Sequence, residues 1–355
     1  MRAPTGLHLD YLSAAECQSA PWGNVLGVAS FNGMPAGIAR GAEIPVAQVS
    51  TPLLAGTAQL YEVWRCDLPA TSGQRQGVRF RRTEDTLFGC IAVAEEAQLT
   101  AAAAAAGGGR RGAVHTALHV ATSQAYREIC AALDAERYPH LLRVWNYLPH
   151  INRDSHGLER YRQFNTARQH ALRESGRALE GSVPAASALG APGDSPVVVY
   201  FLAGRTAPTF VENPRQVSAY HYPPEYGRHR PAFSRAALAR QLGGLALFIS
   251  GTASIVGHRS LHIGDTAAQT RETLTNIEAL LGEANRVARG ACFELGNLAC
   301  KVYVRRPSDL PVIQAELTAA LGPTAKAIYL QADICRQDLL VEIEATAICA
   351  LRTDA

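Results

Sequence analysis

Two glutamates near the C-terminus have the clearest potential for acid–base chemistry in this sequence. Glu342 and Glu344 lie in an alternating apolar and polar run at residues 339–347, which predicts a β-strand. Since side chains alternate between the faces of a strand, both carboxylates point to the same face. They are either solvated on an exposed face, or Glu342 lies in a partly apolar cleft, where a raised pKa lets it act as a general acid. In that cleft, Glu344 would be a solvated support or would raise the pKa of Glu342 by like-charge repulsion.

Arginines interspersed with aromatic and amide side chains suit the binding of an anionic ligand. A planar, permanently charged guanidinium matches a carboxylate in geometry and charge. We expect Arg160 to hold such a carboxylate, with Tyr161 and Asn165 beside it. For Arg168 we expect a solvated position. Arg305, at the end of a predicted strand, is a second candidate cation, and the alternative for it is a surface charge.

Tyr220 and Gly251 complete the set of candidate binding residues. Tyr220 lies in a segment rich in Pro and Tyr, which excludes regular structure. Such a segment either frames a pocket or anchors itself on the core. Gly251 follows a predicted strand, and its missing β-carbon permits close approach of the backbone, either to a ligand or in a tight turn.

The composition is that of a folded, soluble protein without a nucleic-acid or membrane partner. The 355 residues are 47% hydrophobic and 18% charged, and the net charge of +3 is too small for a nucleic-acid footprint. No apolar stretch reaches the roughly 18 residues of a membrane span, and no signal peptide is recognisable, so we expect a cytoplasmic location. The eight cysteines form no CxxC pair, which argues against a zinc site.

Periodic patterns predict an α+β protein whose halves share one plan, a long helix followed directly by a strand. Strands are predicted at residues 25–30, 58–65, 85–94, 141–147, 197–202, 245–249, 298–305, 327–332 and 339–347, and helices at 115–136, 269–287 and 310–321. Two segments of small residues interrupt the pattern. Residues 101–112 are predicted to be a flexible surface loop, and residues 174–196 a flexible linker or loop.

Four stretches of the second half, in order, resemble the YjgF/RidA family. They are ISGTA (249–253), QTRETLTNI (269–277), KVYV followed by SD (301–304 and 308–309), and VEIEA (341–345). The resemblance implies a sheet with two helices packed on one face, and it implies that Glu342 lies in the ligand cleft. The arginine with which RidA deaminases hold a substrate carboxylate has no counterpart at residues 327–329, which argues against enamine deamination.

Four further motifs resemble the chorismatases over most of residues 20–350. They are WNYLPHIN (145–152), GLERYRQFN (157–165), ENPRQVSAY (212–220) and SGTASIVGH (250–258). The resemblance implies two RidA-like domains, each a mixed or antiparallel sheet with helices on one face. We expect a divergent N-terminal domain at residues 1–173, a linker at 174–196 and a C-terminal domain with the catalytic glutamate at 197–355.

The resemblance to the chorismatases also implies a reaction. Chorismate would be split into pyruvate and 3-hydroxybenzoate after Glu342 protonates the enolpyruvyl methylene carbon, with no cofactor and no metal. Cys335 matches a cysteine of the 3-hydroxybenzoate-forming branch, so Cys335 is implied to assist the chemistry. The alternatives are release of 4-hydroxybenzoate or a dihydroxycyclohexadienoate, a RidA-like imine deaminase, and a non-catalytic module that binds small acids. A monomer is expected, and a homo-oligomer stays open.

Overall fold

The periodic patterns correspond to regular elements in the computed structural model, which describes residues 6–31, 33–34, 43–56, 59–95, 116–241, 244–288 and 293–350. The helices, in chain order, are α1 (Ala14–Ser19), α2 (Ala117–Glu136), α3 (Arg160–Glu174), α4 (Thr266–Ala288) and α5 (Leu310–Leu321). The strands are β1 (Leu7–Ser13), β2 (Val25–Phe31), β3 (Val46–Val49), β4 (Leu60–Cys66), β5 (Thr71–Arg75), β6 (Val78–Arg82), β7 (Thr86–Val93), β8 (His140–Pro149), β9 (Asp154–Ser155), β10 (Leu158–Glu159), β11 (Ala185–Ala191), β12 (Val197–Gly204), β13 (Thr209–Val211), β14 (Ala236–Gln241), β15 (Gly244–Thr252), β16 (Ile255–Val256), β17 (Arg259–Ser260), β18 (Ala299–Val304), β19 (Lys326–Gln331) and β20 (Val341–Ala350).

In the described residues, three mixed sheets contain most of these strands, and the pairs β9–β10 and β16–β17 form two small separate sheets. The first has the order β1-β4-β2-β3, the second β11-β8-β12-β7-β6-β5, and the third β13-β14-β15-β20-β18-β19. Most neighbours are antiparallel, whereas β2 with β3, β8 with β11, and β18 with β19 are parallel. The second and third sheets each contain a strand that directly follows or precedes a long helix, as the sequence predicts.

Helices α4 and α5 cover one face of the third sheet. Their apolar sides, including Leu274 and Leu280, share a core with Val341 and Ile343 of β20. Because side chains alternate along β20, Glu342 and Glu344 point away from these helices and towards the first half of the chain. Within the described residues, no helix is both long and apolar enough to span a membrane.

Two expectations about the middle of the chain are wrong. Residues 174–196 do not form a continuous loop, because they contain the strand β11, which pairs in parallel with β8. Strand β12 hydrogen-bonds β7 and β8, so it completes the second sheet and does not belong with the third. The domain limits at 173 and 197 stay a prediction, but the sheet pairing does not follow them. The loop predicted at 101–112 lies outside the described residues.

The halves meet through a continuous apolar core and through direct strand contacts. Trp145 and Tyr200 of the second sheet stack in parallel, 4.5 Å between ring centroids, in the same core as Phe248 of the third sheet. Leu189 of β11 forms a bridge with Ile334, which precedes β20. This contact fixes β11 against the segment that leads into β20, and it therefore positions the site described below.

We predict that two glycine substitutions change stability in opposite directions. A β-carbon at Gly27 in β2 would overlap the ring of Phe88, so Gly27→Ala overpacks the core and should cost about 1–3 kcal/mol. Gly282 is exposed in the middle of α4 with open space around it, so Gly282→Ala should add about 0.5–1 kcal/mol. The free energy of unfolding in urea measures both. Equal effects of the two variants would contradict the packing described between β2 and β7.

Candidate functional site

A cavity of about 240 Å³ lies where the second and third sheets approach each other. Glu342, Cys335, Tyr161 and Gly251, all singled out from the sequence, line its wall. The remaining lining residues are Glu159, Arg162, Tyr222, Tyr226, Pro231, Phe233, Arg235, Ala253, Ile255, Arg336, Gln337 and Asp338. Aromatic rings, arginines and a few carboxyl groups thus surround the space, which is suited to a small anionic ring compound.

Glu342 is the acid of this cavity. It is only 4% exposed, and burial, followed by repulsion from Glu344, raises its pKa to about 8. A bulge in β15 at residues 250–251 brings Gly251 so close that a β-carbon there would overlap the Glu342 carboxylate. A glycine is therefore needed at position 251 because a side chain, that of Glu342, lies directly against its backbone. A pKa of about 8 favours the protonated form of the Glu342 carboxyl at neutral pH, and this form can donate a proton.

Glu344, two residues further along β20 on the same face, has the opposite protonation state. Burial alone would raise its pKa, but Lys301 and Arg143 outweigh that effect and lower the pKa. Its Oε2 accepts hydrogen bonds from Arg143 Nη2 at 2.7 Å and from Ser187 Oγ at 2.7 Å. Its Oε1 lies 2.8 Å from Lys301 Nζ and 2.5 Å from Trp145 Nε1. The expectation that Glu344 is a solvated support is wrong, because it is an ionised carboxylate in the interior.

Cys335 lies beside Glu342 in the cavity wall. Its Sγ lies 4.0 Å from Glu342 Oε2, and within the described residues this is the sole hydrogen-bond contact of the Glu342 carboxyl group. Burial, followed by the negative charge of Glu342 when it is ionised, raises the pKa of the Cys335 thiol to about 12. Cys335 is therefore a neutral thiol that can donate or relay a proton, and it is not a thiolate nucleophile at neutral pH.

Arg235 and Arg336 supply positive charge to the cavity. Arg235 is 4% exposed and donates to Val217 O and to the Tyr222 hydroxyl, each at 2.8 Å. Arg336 donates to His258 O, and its guanidinium lies 4.1 Å from the centroid of the Tyr226 ring. In the described part of the chain, neither arginine pairs with a carboxylate, and Arg235 Nε and Arg336 Nη2 are buried without a hydrogen-bond partner.

Three residues predicted to bind a ligand do not line this cavity. Arg160 donates to Pro149 O at 2.7 Å and pairs with Glu95 through two nitrogens. Arg305 pairs with Asp333 and holds four further acceptors, which include the carbonyl oxygens of residues 334, 336 and 339. Tyr220 points to Glu212, with its hydroxyl 3.4 Å from Oε1. All three stabilise the chain around the cavity.

Asn165 lies behind Tyr161 and lines no cavity at the site, whereas Arg168 lines a small pocket beside the cavity together with Tyr161, Cys335 and Glu342. Asn165 is buried and accepts a hydrogen bond from Arg168 Nη2 at 3.2 Å. Arg168, which was expected to be solvated, is 3% exposed, and its guanidinium lies over the ring of Phe164. The helix α3 turns this face inward, because the buried residues recur at helical spacing along it.

Sequence reasoning missed Arg235 and Arg336 as cavity residues, and it missed the partners of Glu344. A usable signal was present for the latter: Arg143 and Lys301 are single charges within the apolar strands β8 and β18. A charge inside a buried strand is rare unless it is paired. No comparable signal marks Arg235, because the sequence does not show that its segment borders the cavity.

No metal centre is evident at this site. Within the residues that the structure describes, no three His, Cys, Asp or Glu side chains come together in an arrangement that could hold a metal ion. The side chains that line the cavity can transfer protons, through Glu342 and Cys335, and can bind anions, through arginine.

Comparison with known proteins relates both the sequence and the fold to one family. Residues 62–203 match the family model "Chorismatase FkbO/Hyg5-like, N-terminal". A crystal structure of a chorismatase at 1.08 Å resolution superposes with a TM-score of 0.81 at 30% sequence identity, covering 98% of this chain and 100% of that one. The likeness confirms the α+β fold class expected from the sequence.

Curated relatives extend over most of the chain. The 3-hydroxybenzoate synthase of Streptomyces hygroscopicus is 34% identical over 336 residues, which cover 90% of this chain and 91% of the relative. A chorismatase of Streptomyces rapamycinicus is 36% identical over 293 residues, which cover 80% of each protein. With a buried carboxyl group in an arginine-lined cavity and this extent of similarity, the chain belongs to the chorismatase family of enzymes.

Proposed function

We propose that this enzyme converts chorismate to pyruvate and 3-hydroxybenzoate, with Glu342 as the general acid. The observation that carries the proposal is a buried carboxyl group with a pKa of about 8 in a cavity lined by Arg235 and Arg336, neither of which pairs with a carboxylate among the described residues. The names of the relatives, 3-hydroxybenzoate synthase and chorismatase, support the choice of substrate and product.

In the first step, Glu342 transfers its proton to the methylene carbon of the enolpyruvyl group. The enol ether becomes an oxocarbenium ion, and the Glu342 carboxylate remains beside it. General acid catalysis needs a pKa near the working pH, and the raised pKa of Glu342 meets that requirement. The apolar and aromatic walls of the cavity limit access of water to the ion.

The second step decides the product. In the branch proposed here, the ring hydroxyl attacks the adjacent ring carbon, the bond from that carbon to the ether oxygen breaks, and pyruvate leaves. The resulting epoxide opens and aromatises to 3-hydroxybenzoate, so that the two products contain all atoms of chorismate and no water is consumed. We assign to the Cys335 thiol, 4.0 Å from Glu342, the relay of the hydroxyl proton to the Glu342 carboxylate.

Binding of the substrate requires charge for two carboxylates. We assign this role to Arg235 and Arg336, whose free nitrogens are buried at the cavity wall and are held by tyrosine rings. Tyr161 and Gly251 shape the wall beside Glu342. Arg160, Arg305, Tyr220 and Asn165 would act only by supporting this wall.

The products distinguish the proposal from its alternatives. 4-Hydroxybenzoate and a dihydroxycyclohexadienoate remain possible products of the same protonation, and chromatography after incubation with chorismate separates them from 3-hydroxybenzoate. Pyruvate release is common to all three. Tight binding of chorismate without pyruvate release would favour a non-catalytic module, and turnover of imines in its place would favour a deaminase.

We predict that Glu342→Gln abolishes pyruvate release and leaves the fold intact. The amide retains the size of the side chain but carries no transferable proton, and general acid catalysis contributes roughly 10²–10⁴-fold. Steady-state kinetics with chorismate measures kcat, and circular dichroism confirms the fold. Glu283→Gln, on the outer surface of α4, serves as a control for removal of a glutamate charge. A loss in kcat below about tenfold for Glu342→Gln would reject its role as the acid.

We predict that Arg336→Met weakens substrate binding far more than Arg160→Met. Methionine keeps the apolar stem on the tyrosine rings but removes the charge, and a hydrogen bond to a charged group is worth about 1.5–3 kcal/mol, so KM should rise roughly 10- to 150-fold. Arg160 is the matched control because Pro149 and Glu95 already occupy its nitrogens. A larger rise in KM for Arg160→Met than for Arg336→Met would instead assign Arg160 to the substrate-binding site.

We predict that Cys335→Ala changes the product and does not stop pyruvate release. Protonation by Glu342 does not require the thiol, so the oxocarbenium ion still forms, and water then competes for it. The ratio of aromatic product to dihydroxycyclohexadienoate, measured at equal pyruvate released, should fall. If Cys335 only packs the wall, alanine lowers stability modestly and leaves that ratio unaltered.

A further inference from the structure

Four charged side chains are buried together where the two halves meet. Arg143 of β8 and Glu62 of β4 come from the first half, and Lys301 of β18 and Glu344 of β20 come from the second. Lys301 Nζ lies 2.5 Å from Glu62 Oε2 and 2.8 Å from Glu344 Oε1, so it joins the two carboxylates. We call these four residues the charge network. None of them lines the 240 Å³ cavity.

The charge network is saturated with hydrogen bonds. Glu344 accepts from five donors, which are Arg143, Ser187, Lys301, Trp145 and Tyr303. At the far end, Glu62 accepts from Trp64 Nε1 at 2.7 Å. Two positive and two negative charges give a net charge of zero, which is the condition under which buried charges are tolerated.

The hydroxyl group of Ser187 connects the network to the catalytic wall. Ser187 Oγ donates to Glu344 Oε2, and it accepts from Arg143 Nη2 at 2.5 Å and from the backbone N–H of Gly251 at 3.0 Å. Gly251 in turn touches Glu342. The hydroxyl therefore has its donor and both acceptor sites in use, and it fixes the bulge of β15 against the network.

We propose that the charge network is a positioning device that keeps Glu342 protonated. It holds one fixed negative charge, that of Glu344, beside Glu342, and it balances every other buried charge of the network with an opposite charge. Glu62 is the remote end of the device and acts on Glu342 only through Lys301 and Glu344. The kinetic test of this assignment rests on the proposed function. The assignment gives a role in the reaction to four residues that do not touch the substrate.

Other charged and titratable groups also face Glu342. Glu344 shares its strand, and the remaining groups are Arg143, Arg168, Arg235, Arg305, Cys335, Tyr161, Tyr222, Tyr226, Glu159, Arg162, Arg336 and Asp338. Arg143, Arg305 and Arg235 favour ionisation of Glu342, whereas burial and Glu344 oppose it. Loss of a negative charge from the network favours the ionised form of Glu342, and loss of a positive charge favours its protonated form.

The pH dependence of kcat/KM for pyruvate release in Glu62→Gln tests the proposal. Glu342 is active when protonated, so kcat/KM of the wild type falls as pH rises through its pKa. Glu62→Gln leaves one unmatched positive charge on Lys301, which favours the Glu342 carboxylate. We expect kcat/KM of Glu62→Gln to fall at a pH about one unit lower than that of the wild type, and we expect the variant to retain activity at acidic pH. Loss by one factor at every pH would mean that Glu62 only supports the fold, and would overturn the proposal.

Two further variants control the charge change. Glu136→Gln removes a mostly buried carboxylate that pairs with Arg75 and Arg82 at the end of α2, outside the network. In this variant, kcat/KM should fall at the same pH as in the wild type. Glu344→Gln makes the same charge change as Glu62→Gln but next to Glu342, so its shift should be larger. A shift in Glu136→Gln as large as that in Glu62→Gln would overturn the assignment to the network.

Infrared spectroscopy tests the same proposal without substrate. At neutral pH the wild type should show the carbonyl band of a protonated carboxylic acid that is missing in Glu342→Gln, and in Glu62→Gln or Glu344→Gln that band should disappear at lower pH. If chorismate releases no pyruvate but the band behaves in this way, the proposed function fails and the network stands. If Glu342→Gln removes no such band, Glu342 is ionised and the network proposal is wrong.

Discussion

The buried ion pairs of Glu344 with Arg143 and Lys301 are the constraint on which the arrangement of the two halves depends. Charges taken out of water are costly, and they are tolerated only when geometry and hydrogen bonding compensate fully. Here the compensation comes from both halves, because Arg143 belongs to the second sheet and Lys301 to the third. Any sliding of one sheet over the other would leave a buried charge unmatched. The relative position of the sheets is therefore restricted to one alignment, and the cavity between them has a defined shape.

That alignment explains how two glutamates on one strand face acquire opposite protonation states. Glu344 has five donors, whereas Glu342 has a thiol at 4.0 Å and lies against the bulge at Gly251. The same interior that stabilises the first as an anion disfavours a second anion next to it. Strand periodicity brings both carboxylates to one face, and the tertiary contacts then give each a different role.

The elements were more predictable than the site. Periodicity located β20, α4 and α5 to within a few residues, because burial of one face dictates the pattern locally. It could not locate Arg235 and Arg336, because nothing in the spacing of residues shows which segments meet across a cavity. The small residues at 185–191 suggested a linker, but close packing accounts for them: a β-carbon at Gly190 would lie 2.6 Å from Asp333 Cβ. A segment of Ala, Gly and Ser is thus compatible with a strand when another chain segment lies directly on it.

The contrast among the arginines shows which property decides whether an arginine can take a ligand. Arg160 and Arg305 have the permanent charge and planar geometry that made them candidates, but each already forms an ion pair, with Glu95 and Asp333 respectively. Arg235 and Arg336 are held mainly by carbonyl oxygens, hydroxyl groups and aromatic faces, which orient a guanidinium without cancelling its charge. Their positive charge therefore remains for an anion that enters the cavity, and the charge of Arg235 also favours ionisation of Glu342. A cavity that attracts anions in this way needs a separate source of negative charge to keep its acid protonated, and Glu344, balanced from behind by Arg143 and Lys301, has the position and the charge to provide it.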